Sequence, residues 1–111
     1  MAKKELASEG EIDALRRLAT DPDRAQVTAR AKYDMWGKGL TKVDVCDALH
    51  SWIKEGRPVT RTYMHQEGPG AIGYEIKPKL AGMILYMKFV IRGEPALDPV
   101  LLIVSAHKDE G

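Results

Sequence analysis

Tyr86 and Lys88 stand two residues apart, and Ser105 and His107 repeat that spacing, with Lys108 next in line. Successive side chains of a strand alternate between faces, so each spacing puts its pair on one side of a sheet. An imidazole gives or takes a proton near neutrality. Ammonium and guanidinium groups hold anions, phosphate above all. A phenol orients a phosphate or stacks on a nucleobase. His107 is thus the candidate acid or base. Lys88, Lys108 and, from an earlier segment, Arg61 are candidate phosphate holders, and Tyr86 is a candidate stacking group.

Two apolar runs must position these groups, Met83–Ile91 (MILYMKFVI) and Val100–Ala106 (VLLIVSA). Both are rich in aliphatic residues and bounded by turn formers, so they read as central strands. The connection Arg92–Pro99 is too short for a crossover helix, which predicts an antiparallel pair. Leu85, Met87, Phe89 and Ile91 make the reverse side of the first strand wholly apolar. One face therefore packs, and the other carries the polar groups.

The elements before this pair follow from local chemistry. Ser8 with Glu11 has capping-box spacing, and Ile12, Leu15, Leu18 and Ala19 follow at helical period. Thr20–Asp23 stops that helix, and Asp21 is read as the cap of a second one with Pro22 at its first position. Val27, Ala31 and Met35 form the second stripe. Thr41 caps a third helix, which turns Val45, Leu49, Trp52 and Ile53 inward and stops at Gly56. The period then becomes alternating. Pro58–His65 is a predicted strand, with Val59, Arg61 and Tyr63 on one face and Thr60, Thr62 and Met64 on the other. Gln66–Gly70 is a turn, Ala71–Lys77 a further strand, and Lys79–Gly82 turns into the central pair. The expected architecture is one α+β domain over residues 1–111. Residues 1–7 are a tail, 8–56 helical, and 57–108 an antiparallel sheet of about four strands covered by helices on one face.

A chain of 111 residues is the size of one domain, and no apolar run reaches the about 18 residues of a membrane span. The start, MAKKELASEGE, has no apolar core and does not read as a secretory signal. Cys46 is the single cysteine, which excludes an internal disulfide and fits a reducing, cytoplasmic compartment. It lies in a helical apolar pattern and reads as a buried, inert thiol. The net charge is only +1, but between Arg57 and Arg92 six cations face two anions, which predicts a positive face on the sheet half. Gly68-Pro69-Gly70 lacks phosphate-loop spacing, and Ser105 lacks a nucleophile-elbow context. His50, His65 and His107 have no companion at metal-ligand spacing, so no metal and no cofactor is expected.

Read together, Ile76-Lys77-Pro78-Lys79-Leu80, Gly82, Tyr86-Met87-Lys88-Phe89, Leu102-Ile103-Val104-Ser105 and Lys108-Asp109-Glu110 resemble the MqsR family, toxins of bacterial type II toxin–antitoxin systems. The matched features are a basic-Pro-basic turn, a Tyr-x-Lys strand and a last apolar strand ending in Ser plus a basic residue. Gly39-Leu40 ahead of the third helix also fits, and the resemblance spans Val27 to Glu110. It implies a RelE-like fold, a small curved antiparallel sheet with helices packed on it, as in microbial ribonucleases. It also implies metal-free cleavage of single-stranded mRNA. By position, the family's first-strand lysine falls on Arg61, its tyrosine on Tyr86, and its C-terminal lysine on His107 or Lys108. Its second-strand glutamine falls near Gly73 or Tyr74 and is absent. Arginine at 61 keeps the charge but is no proton donor.

The expected activity is therefore a toxin endoribonuclease. Its catalytic set is Arg61, Tyr86, Lys88, His107 and Lys108, and Lys77, Lys79 and Arg92 bind flanking RNA. The expected partners are mRNA and a cognate antitoxin, with no membrane. Trp36 and Trp52 read as core or antitoxin-facing, and His65 as a weaker site candidate. The rival reading is a non-catalytic module binding RNA or protein through the same face, which the missing glutamine favours. A third is a structural chain whose open sheet edge pairs with another chain, a homo-oligomer included.

Overall fold

A computed structural model describes residues 5–64, 71–80, 82–93 and 99–109. Helix α1 spans Glu9–Ala19, and its capping box is formed in full: Glu11 N–H donates to Ser8 Oγ and Ser8 N–H donates to Glu11 Oε1. Asp21 makes no side-chain cap, and Pro22–Arg24 is a single 3-10 turn. The second helix, α2 (Ala29–Trp36), is capped by Thr28 instead. Helix α3 (Lys42–Lys54) starts on the reciprocal Thr41–Asp44 capping box, and Gly56 beyond its end has φ +75°, a conformation glycine adopts without strain.

The strands are β1 (Glu5–Leu6), β2 (Gln26–Val27), β3 (Thr60–Tyr63), β4 (Ile72–Ile76), β5 (Lys79–Leu80), β6 (Met83–Arg92) and β7 (Val100–Lys108). Their order is β1-β3-β4-β6-β7-β2, with β5 hairpinned onto β6. The α+β class, the single helical layer and the antiparallel β6/β7 pair match the expectation from sequence.

Two details differ. Residues Glu5 and Leu6 are not a tail: they extend the sheet beyond β3, and Ala7 N–H donates to Val59 O at 2.8 Å. The helical half also contributes β2, which pairs in parallel with β7 at the other edge. The sheet is therefore mixed rather than wholly antiparallel. A two-residue strand has no period to read, which is why neither edge was visible in the sequence. The Gln66–Gly70 turn lies outside the described residues, as does most of the connection before Pro99.

One core joins the layers. Leu15, Ala31, Met35, Val45, Cys46 and Leu49 of the helices meet Val59, Tyr74, Ile76, Leu85, Met87, Phe89, Leu101, Ile103 and Ala106 of the sheet. Between Lys88 and Phe89 the β6/β7 register shifts: Phe89 faces Ile103 but Lys88 faces Ser105, so Val104 is an extra residue. Thr28 holds this bulge. Its hydroxyl donates to Val104 O at 3.1 Å and accepts from Ala31 N–H at 3.1 Å.

Candidate functional site on the sheet face away from the helices

Directly opposed residues of an antiparallel pair share a face, so the register assigns each side chain. Thr60, Glu75, Lys88 and Ser105 form one row across four strands, on the face away from the helices. Tyr86 and His107 form the next row on that face. Their rings stack, with centroids 5.1 Å apart and planes 20° from parallel. The Lys88 ammonium sits 5.6 Å from the Tyr86 ring centroid, within reach of its negative face. His107 Nδ1 lies 3.0 Å from Lys108 O. A carbonyl only accepts, so Nδ1 carries the proton there and Nε2 is left for chemistry. Tyr86, Lys88 and His107 are thus brought together as the sequence predicted.

Arg61 is not on this face. It opposes Tyr74, which opposes Phe89, so its side chain lies on the helix side. There Arg61 Nε is 3.4 Å from Glu11 Oε2 and Nη1 is 3.8 Å from Glu5 Oε2, while the Tyr74 hydroxyl donates to the same Glu11 oxygen. Burial alone would raise the Glu11 carboxyl. Hydrogen bonds from the Ser8 backbone, Tyr74 and the Ser8 hydroxyl, with the Arg61 charge, outweigh it and hold the carboxyl below its ordinary value. Burial first and then the Glu11 contact push the Tyr74 phenol up. Arg61 is therefore a fastener between β1, α1 and β3, and its guanidinium is committed to carboxylates.

Lys108 opposes Leu85 and so also leaves the Tyr86 row; its side chain is exposed at the end of β7. It lines a cleft with His107, with Arg30 and Asp34 of α2, and with Lys38 just past the end of that helix. The three flanking cations do not make one track. Lys77 is 3.5 Å from Asp109 Oδ2, Lys79 lines a groove against α3, and Arg92 ends β6 about 20 Å along the strand from Tyr86. His65 lies outside the described residues. Trp36 is 79% exposed and not in the core, whereas Trp52 is half-buried and donates Nε1–H to Pro58 O. Burial, then Asp47, pushes the Cys46 thiol up to about 11, so it stays protonated as expected of an inert residue.

Glu75 is the site residue the sequence reading passed over. It is 4% exposed and stands directly across from Lys88. Its signal was a carboxylate inside IGYEI, out of phase with the apolar Tyr74 and Ile76. Gly73 also lies on this face, and a Cβ there would meet Met64 Sδ at 2.5 Å and Lys88 Cδ at 3.3 Å. The space beside Lys88 is thus taken by the Met64 thioether. Together the face holds a carboxylate, an ammonium, a phenol and an imidazole. Glu75 and His107 are separated by two strand spacings and one pleat, roughly 10–12 Å between Cα atoms, which two side chains and a phosphodiester span. In comparisons with protein-family models, curated proteins and solved structures, nothing matches this chain.

Proposed function

We propose that this chain is an endoribonuclease that cleaves single-stranded RNA without a metal, a toxin of the MqsR type held in check by a cognate antitoxin. The observation that carries the reading is the convergence of Tyr86, Lys88 and His107 on one face beside the buried Glu75. The resemblance of residues 27–110 to that family supports the toxin assignment. Cleavage at RNA needs a base for the 2′-hydroxyl, a cation for the phosphorane and an acid for the departing 5′-oxygen. Glu75 takes the 2′-hydroxyl proton as that oxygen attacks phosphorus. Lys88 offsets the charge gathering on the phosphoryl oxygens. His107, in its imidazolium form, keeps Nδ1–H on Lys108 O and gives the Nε2 proton to the 5′-oxygen as the P–O bond breaks. The products are a 2′,3′-cyclic phosphate and a 5′-hydroxyl. Tyr86 holds the imidazole plane by stacking.

The test is incubation of the purified chain with single-stranded RNA in EDTA, reading cyclic-phosphate ends. Lys88→Ala, His107→Ala and Glu75→Gln are each expected to slow cleavage by about 10²–10³-fold. Intact RNA in the presence of wild-type protein overturns the enzyme. Retained binding in that case selects the second reading, a non-catalytic RNA-binding module. The diversion of Arg61 to Glu11 and the Met64 side chain beside Gly73 favour that alternative.

A further inference from the structure

Helix α2 spends its two largest side chains on solvent. Tyr33 is 81% and Trp36 79% exposed, the highest values among the described large apolar residues, while Ala31 and Met35 make the contact with the core. The aromatic pair is three residues apart, so both rings stand on one helix face, side by side. Cations flank them. Arg30 and Lys38 line the cleft that also holds His107 and Lys108, and on the other flank Lys32 and Lys42 line the groove that Trp36 borders. Asp34 is the one acid on α2. Two free aromatic faces set among like charges form a stacking platform in an electrostatic funnel, the arrangement that binds single strands through their bases and phosphates.

We infer that α2 is a second RNA subsite, in which Tyr33 and Trp36 stack on unpaired bases flanking the scissile bond. The inference rests on the reading of the sheet face as an RNA site, and the cleft makes the two continuous. A strand leaving His107 passes Lys108, Arg30 and Lys38 before it reaches the aromatic crest. An acidic protein segment is the other occupant such charges admit. RNA is favoured because the cations lead to the imidazole.

The experiment is equilibrium binding of unstructured RNA oligomers, one of about four nucleotides and one of about twelve, in EDTA and on a His107→Ala background to prevent turnover. The longer oligomer is expected to bind more tightly and to quench the emission of Trp36. Trp36→Phe removes the quench. Tyr33→Ala/Trp36→Ala, at two exposed positions, weakens the longer oligomer at least about tenfold and leaves the short one unchanged. Arg30→Ala and Lys38→Ala each lower the salt slope of the longer oligomer by about 0.7. Equal affinity of the long oligomer for the wild type and the aromatic double variant overturns the subsite while leaving the sheet site standing. If the double variant loses affinity but Tyr86→Ala/Lys88→Ala does not, the helix site stands and the sheet reading falls. Quenching by a polyglutamate peptide, with none by RNA, overturns the inference in favour of a protein partner.

Discussion

At the scale of single residues, two cations of the sheet half have opposite fates. Lys88 stays on the face with Tyr86, while Arg61 closes a network with Glu5, Glu11 and Tyr74. Arg61→Ala is therefore expected to lower stability by about 1–3 kcal/mol, because it strips a charged partner from Glu11, and to leave the cleavage rate of the folded protein within about twofold. Denaturant titration and initial rates on one preparation check both halves. Glu11 carries its own pH signature. Its carboxyl lies below the ordinary value of 4.5 in the folded chain, so the unfolded chain binds protons more readily in acid. The stability this confers is present above that value and lost as pH falls through the folded pKa. Glu11→Gln should cost about 1–2 kcal/mol at neutral pH and flatten the acid limb of the stability profile. The alternation of PVTRTYMH did show that Arg61 and Thr60 face opposite ways. Which of them shares a face with Lys88 depends on pairings across two strands, and no residue within β3 reports that.

Among the elements, Thr28 ties three together. It caps α2, follows the parallel strand β2, and bonds the carbonyl of the β7 bulge. Thr28→Val keeps the shape and loses both hydroxyl contacts, so we expect a loss of about 1–2 kcal/mol by thermal or denaturant unfolding. Cleavage should fall as well, because His107 lies three residues past the bulge. The long elements were legible: capping boxes at Ser8 and Thr41 announced α1 and α3, and the apolar run Met83–Ile91 announced β6. Thr28 was not, because Asp21-Pro22 gives an equally good local start signal, and only the hydrogen bond of Thr28 N–H to Ile103 O decides between them. The α2 cleft was invisible for the same reason, since Arg30 and Lys38 acquire meaning only from a strand 70 residues away.

For the whole molecule, helices and sheet share a single core, and the radius of gyration of 13.0 Å is what one domain of this length gives. Among the described residues, the clustered buried apolar side chains of the helices and of the sheet belong to one core. Phe89, fully buried on β6, sits in that common core. Phe89→Ala should cost about 3–5 kcal/mol and leave a single unfolding transition, coincident by far-UV circular dichroism and by tryptophan emission. Two separated transitions would contradict one shared core. The switch from helical to alternating period at Gly56 made this two-layer plan readable; the face shared by Tyr86, Lys88 and His107 follows only from the strand register.

The bulge at Val104 acts as a phase shifter. Leu101 and Ile103 point into the core, and strict alternation would send Ser105 and His107 after them. One extra residue reverses the parity, so the odd positions of this strand face the core before the bulge and the Tyr86 face after it. Length changes in β7 are then not equivalent. Loss of Val104 restores an even ladder with His107 still opposite Tyr86, and such a variant should keep its activity. Loss of Ala106 turns the imidazole toward the core and Lys108 outward, and should abolish cleavage and stability together. Through that single inserted residue, the half of β7 that packs into the core and the half that carries Ser105 and His107 can each change without the other.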